Sequence, residues 1–198
     1  MTFLPHSFSR PSQESRGLRD TEGLLTLLPS VMADVADQAF FTWAEPCEDR
    51  RFAEFVTKDD GALWQPALET SWLSARIGFR GAVAGSLEIR LPRELALDLG
   101  LAMLGASEDV TLTDEQLDDV TGELANMLCG ALLTRAGREQ QFDLRPPEIA
   151  RVPALAEPDG RPGRDVFFCV NDRPMVVRFD VGDSQIASSP GRAPRNDR

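Results

Sequence analysis

The sequence predicts an α+β fold in which an antiparallel sheet carries long helices packed on one face. Two pairs of segments alternate apolar with polar or small residues on either side of a turn, a pattern typical of antiparallel hairpins with one buried face. Three other segments repeat apolar residues at helical spacing. In chain order the elements are a helix, a hairpin, two helices and then strands, and helices segregated from strands in this way indicate the α+β class.

The first helix is predicted from apolar residues at helical spacing between Leu24 and Phe40. Pro29 divides this pattern. Because proline is favoured in the first turn of a helix, the main helix is expected to begin there, and Pro46 is expected to end it. The segment 48–66 mixes charges with aromatic residues and supports no assignment.

The first hairpin is predicted from alternating residues at 73–79 and 83–91, on either side of Gly81. Pro92 then opens the second helix, which Gly105 is expected to end as a C-cap glycine.

The third helix is the best defined of the three. Thr113 and Gln116 have the spacing of a capping box, in which each side chain satisfies a free backbone N–H of the other residue. An apolar stripe then continues from Leu117 to Leu132, and Gly137 is expected to cap the end. After it, a Pro-Pro pair leads into a strand at 149–152, and a last hairpin pairs 166–170 with 177–181.

Charge and hydropathy limit the classes of function. The formal net charge is −11, and residues 1–20 and 186–198 are basic polar segments that read as disordered tails around an acidic domain at 21–185. An acidic body repels phosphate backbones, so no nucleic-acid partner is expected. No apolar run approaches the ~20 residues that cross a bilayer, and the N-terminus lacks a secretory pattern, so a cytoplasmic protein without a membrane partner is expected.

Histidine and cysteine usage excludes several kinds of catalysis. His6 is the single histidine and lies in the N-terminal tail, so Ser-His-Asp, Cys-His and histidine-bearing zinc sites are not expected in the domain. The cysteines at 47, 129 and 169 are isolated and form no CxxC pair, which fits a reducing compartment and predicts no metal site.

Glu123 and Asn126 are the candidate functional residues of the third helix. They lie three residues apart, so they are neighbours on one surface, and the helical wheel directs both away from the apolar stripe. Gly122, Cys129 and Gly130 surround Asn126 with small residues that would let another surface approach. From spacing alone, the pair also fits an ordinary solvated helix face, and the glycines also fit close helix packing.

The segment GELANMLCG, residues 122–130, resembles the signature of the CheX, CheC and FliY chemotaxis phosphatases, a helix bearing E-x-x-N followed by a glycine. The hairpin at 77–92, the helix at 94–105, the helix at 113–132 and the pair Pro146–Pro147 resemble further elements of that family in the same order. The resemblance implies the CheC/CheX-like version of the α+β fold.

The resemblance also implies an activity, the hydrolysis of phospho-aspartate on a CheY-like receiver domain. Asn126 would orient the attacking water, Glu123 would pair with the receiver's lysine, and Gly122, Cys129 and Gly130 would contact the partner. It implies no cofactor of the chain's own, since the phosphorylated receiver supplies Mg²⁺. E-x-x-N occurs once, and the first helix offers Asp34, Asp37 and Gln38 instead, so the single-site CheX type, a homodimer, is favoured.

Two other hypotheses compete with this one. The same helix could belong to a non-catalytic module that binds a receiver or a flagellar-switch partner without hydrolysis. A small-molecule enzyme is disfavoured, because the sequence shows no nucleophile–base pair and no glycine-rich phosphate loop next to a strand.

Overall fold

The structure is a computed structural model that describes residues 21–48, 71–81, 83–107, 109–137, 141–153 and 164–182. The predicted tails and most of the segment 48–66 lie outside the described residues.

The described elements are three helices and seven strands, and they confirm the predicted α+β class. The helices are α1 (Thr21–Phe40), α2 (Arg93–Leu104) and α3 (Asp114–Ala136). The strands are β1 (Ala44–Pro46), β2 (Trp72–Arg80), β3 (Ala84–Pro92), β4 (Asp143–Leu144), β5 (Glu148–Val152), β6 (Arg164–Val170) and β7 (Arg173–Gly182).

The strands form one antiparallel sheet in the order β1-β6-β7-β3-β2, and both β4 and β5 pair with the outer edge of β2. Both predicted hairpins are present, as β2–β3 and β6–β7. Asn171 and Asp172 form the β6–β7 turn with φ of 48° and 59°, the left-handed conformation that a two-residue hairpin turn requires.

The two faces of the sheet have different surroundings. Along β2, Leu73, Ala75, Ile77 and Phe79 point into the core, where they pack with buried residues of all three helices. The alternate residues, including Arg76 and Arg80, therefore project from the opposite face. No helix in the described parts of the chain is long and apolar enough to cross a membrane.

Helix α1 differs from the prediction at both ends. It begins at Thr21, so Pro29 lies inside the helix rather than in its first turn, and it ends at Phe40, six residues before Pro46. A proline inside a helix removes one backbone hydrogen bond. Leu28 before the proline and Val31 after it are both buried, so packing against the core stabilises the helix through this interruption.

Helix α3 begins as predicted. The backbone N–H of Gln116 donates to Thr113 Oγ1 at 3.3 Å, and the N–H of Thr113 donates to Gln116 Oε1 at 2.9 Å, which completes the capping box. At the other end the N–H of Gly137 donates to the carbonyl of Leu133 at 2.9 Å. The helix that carries the candidate site is therefore capped at both ends.

Candidate functional site

Helices α2 and α3 approach each other closely at Gly100. A Cβ at this position would lie 2.5 Å from Leu112 Cδ1 and 3.2 Å from a Val120 methyl, so no larger residue fits without displacing them. Leu112, in the connection between the two helices, is thereby folded back onto α2. This contact holds the C-terminal end of α2 beside the first half of α3.

The C-terminal end of α2 exposes two large apolar side chains beside α3. Gly105 ends the helix with φ of 59°, and the N–H of Ala106 donates to the carbonyl of Leu101 at 2.9 Å. Met103 and Leu104 in the last turn are 46% and 60% exposed. These two residues, the α2 rim, form one wall of a groove along α3.

The opposite wall of the groove comes from β5 and the residues that lead into it. Gly122 is buried, and a Cβ there would lie 3.1 Å from Pro147 Cγ and 3.5 Å from Ile149 Cδ1. The glycine therefore lets Pro147 and Ile149 pack directly on α3. Gly122 was predicted to contact a partner protein, but Pro147 and Ile149 of the same chain cover part of its surface. Gly122 still lines the groove.

Glu123 and Asn126 lie in this groove, which has a volume of about 630 Å³. Glu123 is exposed and Asn126 is half-buried. Within the described residues, neither side chain makes a hydrogen bond or an ion pair. The structure therefore places the two predicted residues together, with a carboxylate and a carboxamide free to bind a partner.

The groove is acidic along α3. Asp119 and Glu123 are both exposed and lie one helical turn apart, so their charges reinforce each other. Asp118 also lines the groove, but Arg151 of β5 forms an ion pair with it and orients it towards the sheet. The carboxylates of the groove that are free to bind a basic group of a partner are therefore those of Asp119 and Glu123.

The predicted position of Cys129 is wrong. Its side chain is completely buried in the core, and burial raises the pKa of the Cys129 thiol to about 12. The buried arc of α3 is wider than its apolar stripe, because the helix packs on α1 as well as on the sheet, and both Ala125 and Cys129 belong to the core. A partner protein cannot contact Cys129 on this surface.

Gly130 lies on the open side of α3. It is partly exposed, and a Cβ at this position would have no heavy atom of the described residues within 4 Å beyond its own stretch of helix. It is one turn beyond Asn126, so the surface next to the carboxamide is unobstructed, as predicted.

Helix α1 presents no second site of this kind. Asp34 pairs with Arg135 of α3, whose guanidinium also donates to Ser30 Oγ at 3.0 Å, so this carboxylate helps to hold the two helices together. Asp37 and Gln38 are exposed, and neither of them lines the groove.

The α2 rim was missed in the sequence. Met103 and Leu104 directly precede the glycine that ends the helix. Two adjacent large apolar residues near a helix end can also both be buried, as Leu132 and Leu133 of α3 are, so the sequence alone does not show that this pair is exposed. In the described part of the chain, no group of three or more His, Cys, Asp or Glu residues could hold a metal ion.

The fold is that of solved CheX and CheC-like chemotaxis proteins. The chemotaxis protein CheX from Vibrio vulnificus is 17% identical, with a TM-score of 0.57 over 80% of this chain and 96% of that one. A CheX from Desulfovibrio desulfuricans is also 17% identical, with a TM-score of 0.57 over 80% and 99%. A CheX–CheY–BeF₃–Mg²⁺ complex from Borrelia burgdorferi matches at 15% identity and a TM-score of 0.52, over 80% and 97%.

The family match is narrower and more specific. Residues 73–162 match the family model described as chemotaxis phosphatase CheX. The predicted resemblance to the CheX-type family is therefore confirmed, and the matched range contains both Glu123 and Asn126. No curated protein matches the chain.

Proposed function

We propose that this chain is a phosphatase that hydrolyses the phospho-aspartate of a CheY-like receiver domain. The observation that carries the proposal is the pair Glu123 and Asn126, which face an open groove without a hydrogen-bonding partner among the described residues. The CheX family match over 73–162 supports the activity, and a protein of the same fold was solved in complex with CheY and Mg²⁺.

Asn126 orients the attacking water. Phosphoryl transfer depends mainly on the positioning of the groups and on charge stabilisation, so a phosphatase must above all hold water in line with the phosphorus. A carboxamide can donate one hydrogen bond and accept another, which fixes the direction of a water molecule. Asn126 is half-buried on a capped helix, which fixes the position of its backbone. Its carboxamide has no hydrogen-bonding partner among the described residues and is therefore available to a water molecule.

Glu123 docks the receiver by pairing with the receiver's lysine. The carboxylate is exposed, and Asp119 one turn earlier adds negative charge to the same surface. Like charges on one surface attract a basic partner and set its orientation as it approaches. We assign Glu123 to docking and Asn126 to the chemical step.

The α2 rim gives the receiver an apolar contact next to these polar ones. Met103 and Leu104 lose exposed apolar area when a partner covers the groove, which favours binding by about 25 cal/mol per Å² buried. The receiver's own Mg²⁺ supplies charge stabilisation in the complex, so this chain needs no cofactor of its own. The proposal implies a cytoplasmic protein, and the likeness to CheX-type proteins supports a homodimer.

A phosphate-release assay on a phosphorylated receiver from the same organism tests the proposal. The full chain should shorten the lifetime of the phospho-aspartate. Asn126→Ala should abolish this effect while binding persists, and Glu123→Ala should weaken binding. The matched controls Gln38→Ala and Asp37→Ala, which remove the same groups from the exposed face of α1, should behave as the wild type.

The exposed α2 rim also favours the alternative, a module that binds the receiver without hydrolysis. The two functions differ in one result. A binding-only module leaves the phospho-aspartate lifetime unchanged, whereas a phosphatase shortens it; Asn126→Ala should still bind the receiver in either case. No acceleration by the wild-type chain with any receiver of the organism would refute the phosphatase proposal.

A further inference from the structure

Three arginines of the described residues form no ion pair, and all three lie around one cavity. Arg76, Arg80 and Arg145 have no carboxylate oxygen within 4.0 Å in the described structure. Each other described arginine has such a partner: Arg90, Arg93, Arg135, Arg151, Arg164, Arg173 and Arg178. In a chain of net charge −11, carboxylates are in excess, so three unpaired arginines in one place require an explanation.

The cavity lies on the sheet face opposite the helices and has a volume of about 220 Å³. Arg76 and Arg80 project from this face of β2 with Gly78 between them. A water molecule occupies about 30 Å³ in the liquid, so the cavity has room for a small hydrated anion. Arg80 and Arg145 are exposed, and Arg76 is half-buried.

Gly78 positions the third arginine. The backbone N–H of Arg145 donates to the carbonyl of Gly78 at 2.8 Å, and a Cβ on Gly78 would lie 3.2 Å from Arg145 Cδ. The absence of a side chain at 78 therefore lets the stem of Arg145 lie on the strand between Arg76 and Arg80. The backbone hydrogen bond and the missing side chain at Gly78 therefore place Arg145 beside the other two arginines.

Arg76 is held by a neutral partner. Its Nη2 donates to Ser86 Oγ at 3.1 Å, although Glu88 and Glu148 are its cross-strand neighbours. Glu88 accepts instead from Ser74 Oγ at 2.8 Å. The guanidinium of Arg76 thus remains free to bind an anion, and the Ser86 hydroxyl can donate to the same ligand.

We propose that this cavity binds a small, multiply charged oxyanion of the phosphate type. Guanidinium groups bind such anions through paired, charge-assisted hydrogen bonds, and three of them match a ligand with several oxygens and more than one negative charge. Glu148 also lines the cavity and opposes binding, but the three arginines outnumber it, so the net positive charge still favours a multiply charged ligand. Because the sheet separates this cavity from the groove of Glu123 and Asn126, the inference does not rest on the phosphatase activity.

Calorimetric titration of the full chain with inorganic phosphate tests the proposal, with acetate at equal ionic strength as the singly charged comparison. Phosphate should bind and acetate should not. The double variant Arg80→Gln/Arg145→Gln should bind phosphate at least about tenfold more weakly, since it loses charge-assisted hydrogen bonds. The matched control Arg93→Gln removes one charge from an arginine paired with Asp114 and should bind as the wild type does.

Two further variants separate a built site from a general charge effect. Glu148→Gln should strengthen phosphate binding, and Arg80→Gln alone, at an exposed position, should weaken it without disturbing the fold, as judged by circular dichroism. The proposal is overturned if the wild type binds no phosphate, or if Arg93→Gln weakens binding as much as Arg80→Gln does.

Discussion

Gly122 and Gly130 lie about two turns apart on α3, and alanine should stabilise the protein at Gly130 but not at Gly122. Glycine in a helix interior costs about 1 kcal/mol relative to alanine. At Gly130 a new Cβ meets no heavy atom of the described residues within 4 Å beyond its own stretch of helix, so Gly130→Ala should raise the free energy of unfolding by about 1 kcal/mol. The packing around Gly122 opposes the same gain.

A Cβ at Gly122 would lie 3.1 Å from Pro147 Cγ, closer than ordinary van der Waals contact, and the proline ring cannot rotate away. Overpacking of this kind costs roughly 1–3 kcal/mol. Combined with the helix gain, Gly122→Ala should leave stability unchanged or lower it by up to about 2 kcal/mol. The two variants should therefore differ by about 1–3 kcal/mol, with Gly130→Ala the more stable.

Urea unfolding of the full chain, followed by circular dichroism, measures both variants against the wild type. The same proteins then enter the phosphate-release assay. Gly130→Ala should be more stable and yet slower, because its methyl group stands on the docking surface one turn beyond Asn126. Equal stabilisation by both alanines would refute the packing argument, and full activity of Gly130→Ala would refute the place given to Gly130 on the docking surface.

Three further predictions concern the rest of the α3 region. Thr113→Ala removes the capping box and should lower the free energy of unfolding by about 1 kcal/mol in urea. The Cys129 thiol has an ordinary pKa of 9.0 when unfolded and about 12 when folded. The wild type should therefore lose stability as the pH rises from 9 towards 12, more steeply than Cys129→Ala, and an equal slope in both proteins would contradict the burial of the thiol. Leu104→Lys should weaken receiver binding about tenfold in a titration. Its unfolding free energy should change by no more than about 0.5 kcal/mol, since the side chain is exposed.

Few groups other than cysteines titrate in the alkaline range in which the Cys129 prediction is tested. The chain has no tyrosine, and Lys58 is its single lysine, so few other groups titrate over the same pH range. Burial also raises the pKa of Cys169, which adds its own slope. The informative quantity is therefore the difference between the wild type and Cys129→Ala.

Local signals predicted the helices and hairpins well because each signal acts within a few residues. The capping box at Thr113 and the C-cap at Gly105 form as expected. The prediction from Pro29 was wrong, since the loss of one hydrogen bond is a local effect and the burial of Leu28 before the proline and Val31 after it outweighs that loss. The order of the strands in the sheet could not be predicted from the sequence, because pairings such as β3 with β7 join residues far apart in the chain.

Some residues of the candidate site could likewise be predicted from the sequence, and others could not. Glu123 and Asn126 could be placed on an exposed surface from periodicity alone, because the stripe from Leu117 to Leu132 fixes the orientation of the helix. Cys129 could not, since the stripe does not show that α1 covers a second side of α3. The rim at Leu104 depends on how α2 packs against α3 at Gly100, which is a tertiary contact.

The phosphatase role of Asn126 is tested by the lifetime of a phosphorylated receiver from the same organism, measured with the full chain and with Asn126→Ala at equal concentration. We expect a shortened lifetime with the wild type and the unassisted lifetime with Asn126→Ala, while both proteins bind the receiver equally. A shortened lifetime in both, or in neither, would contradict the role given to Asn126.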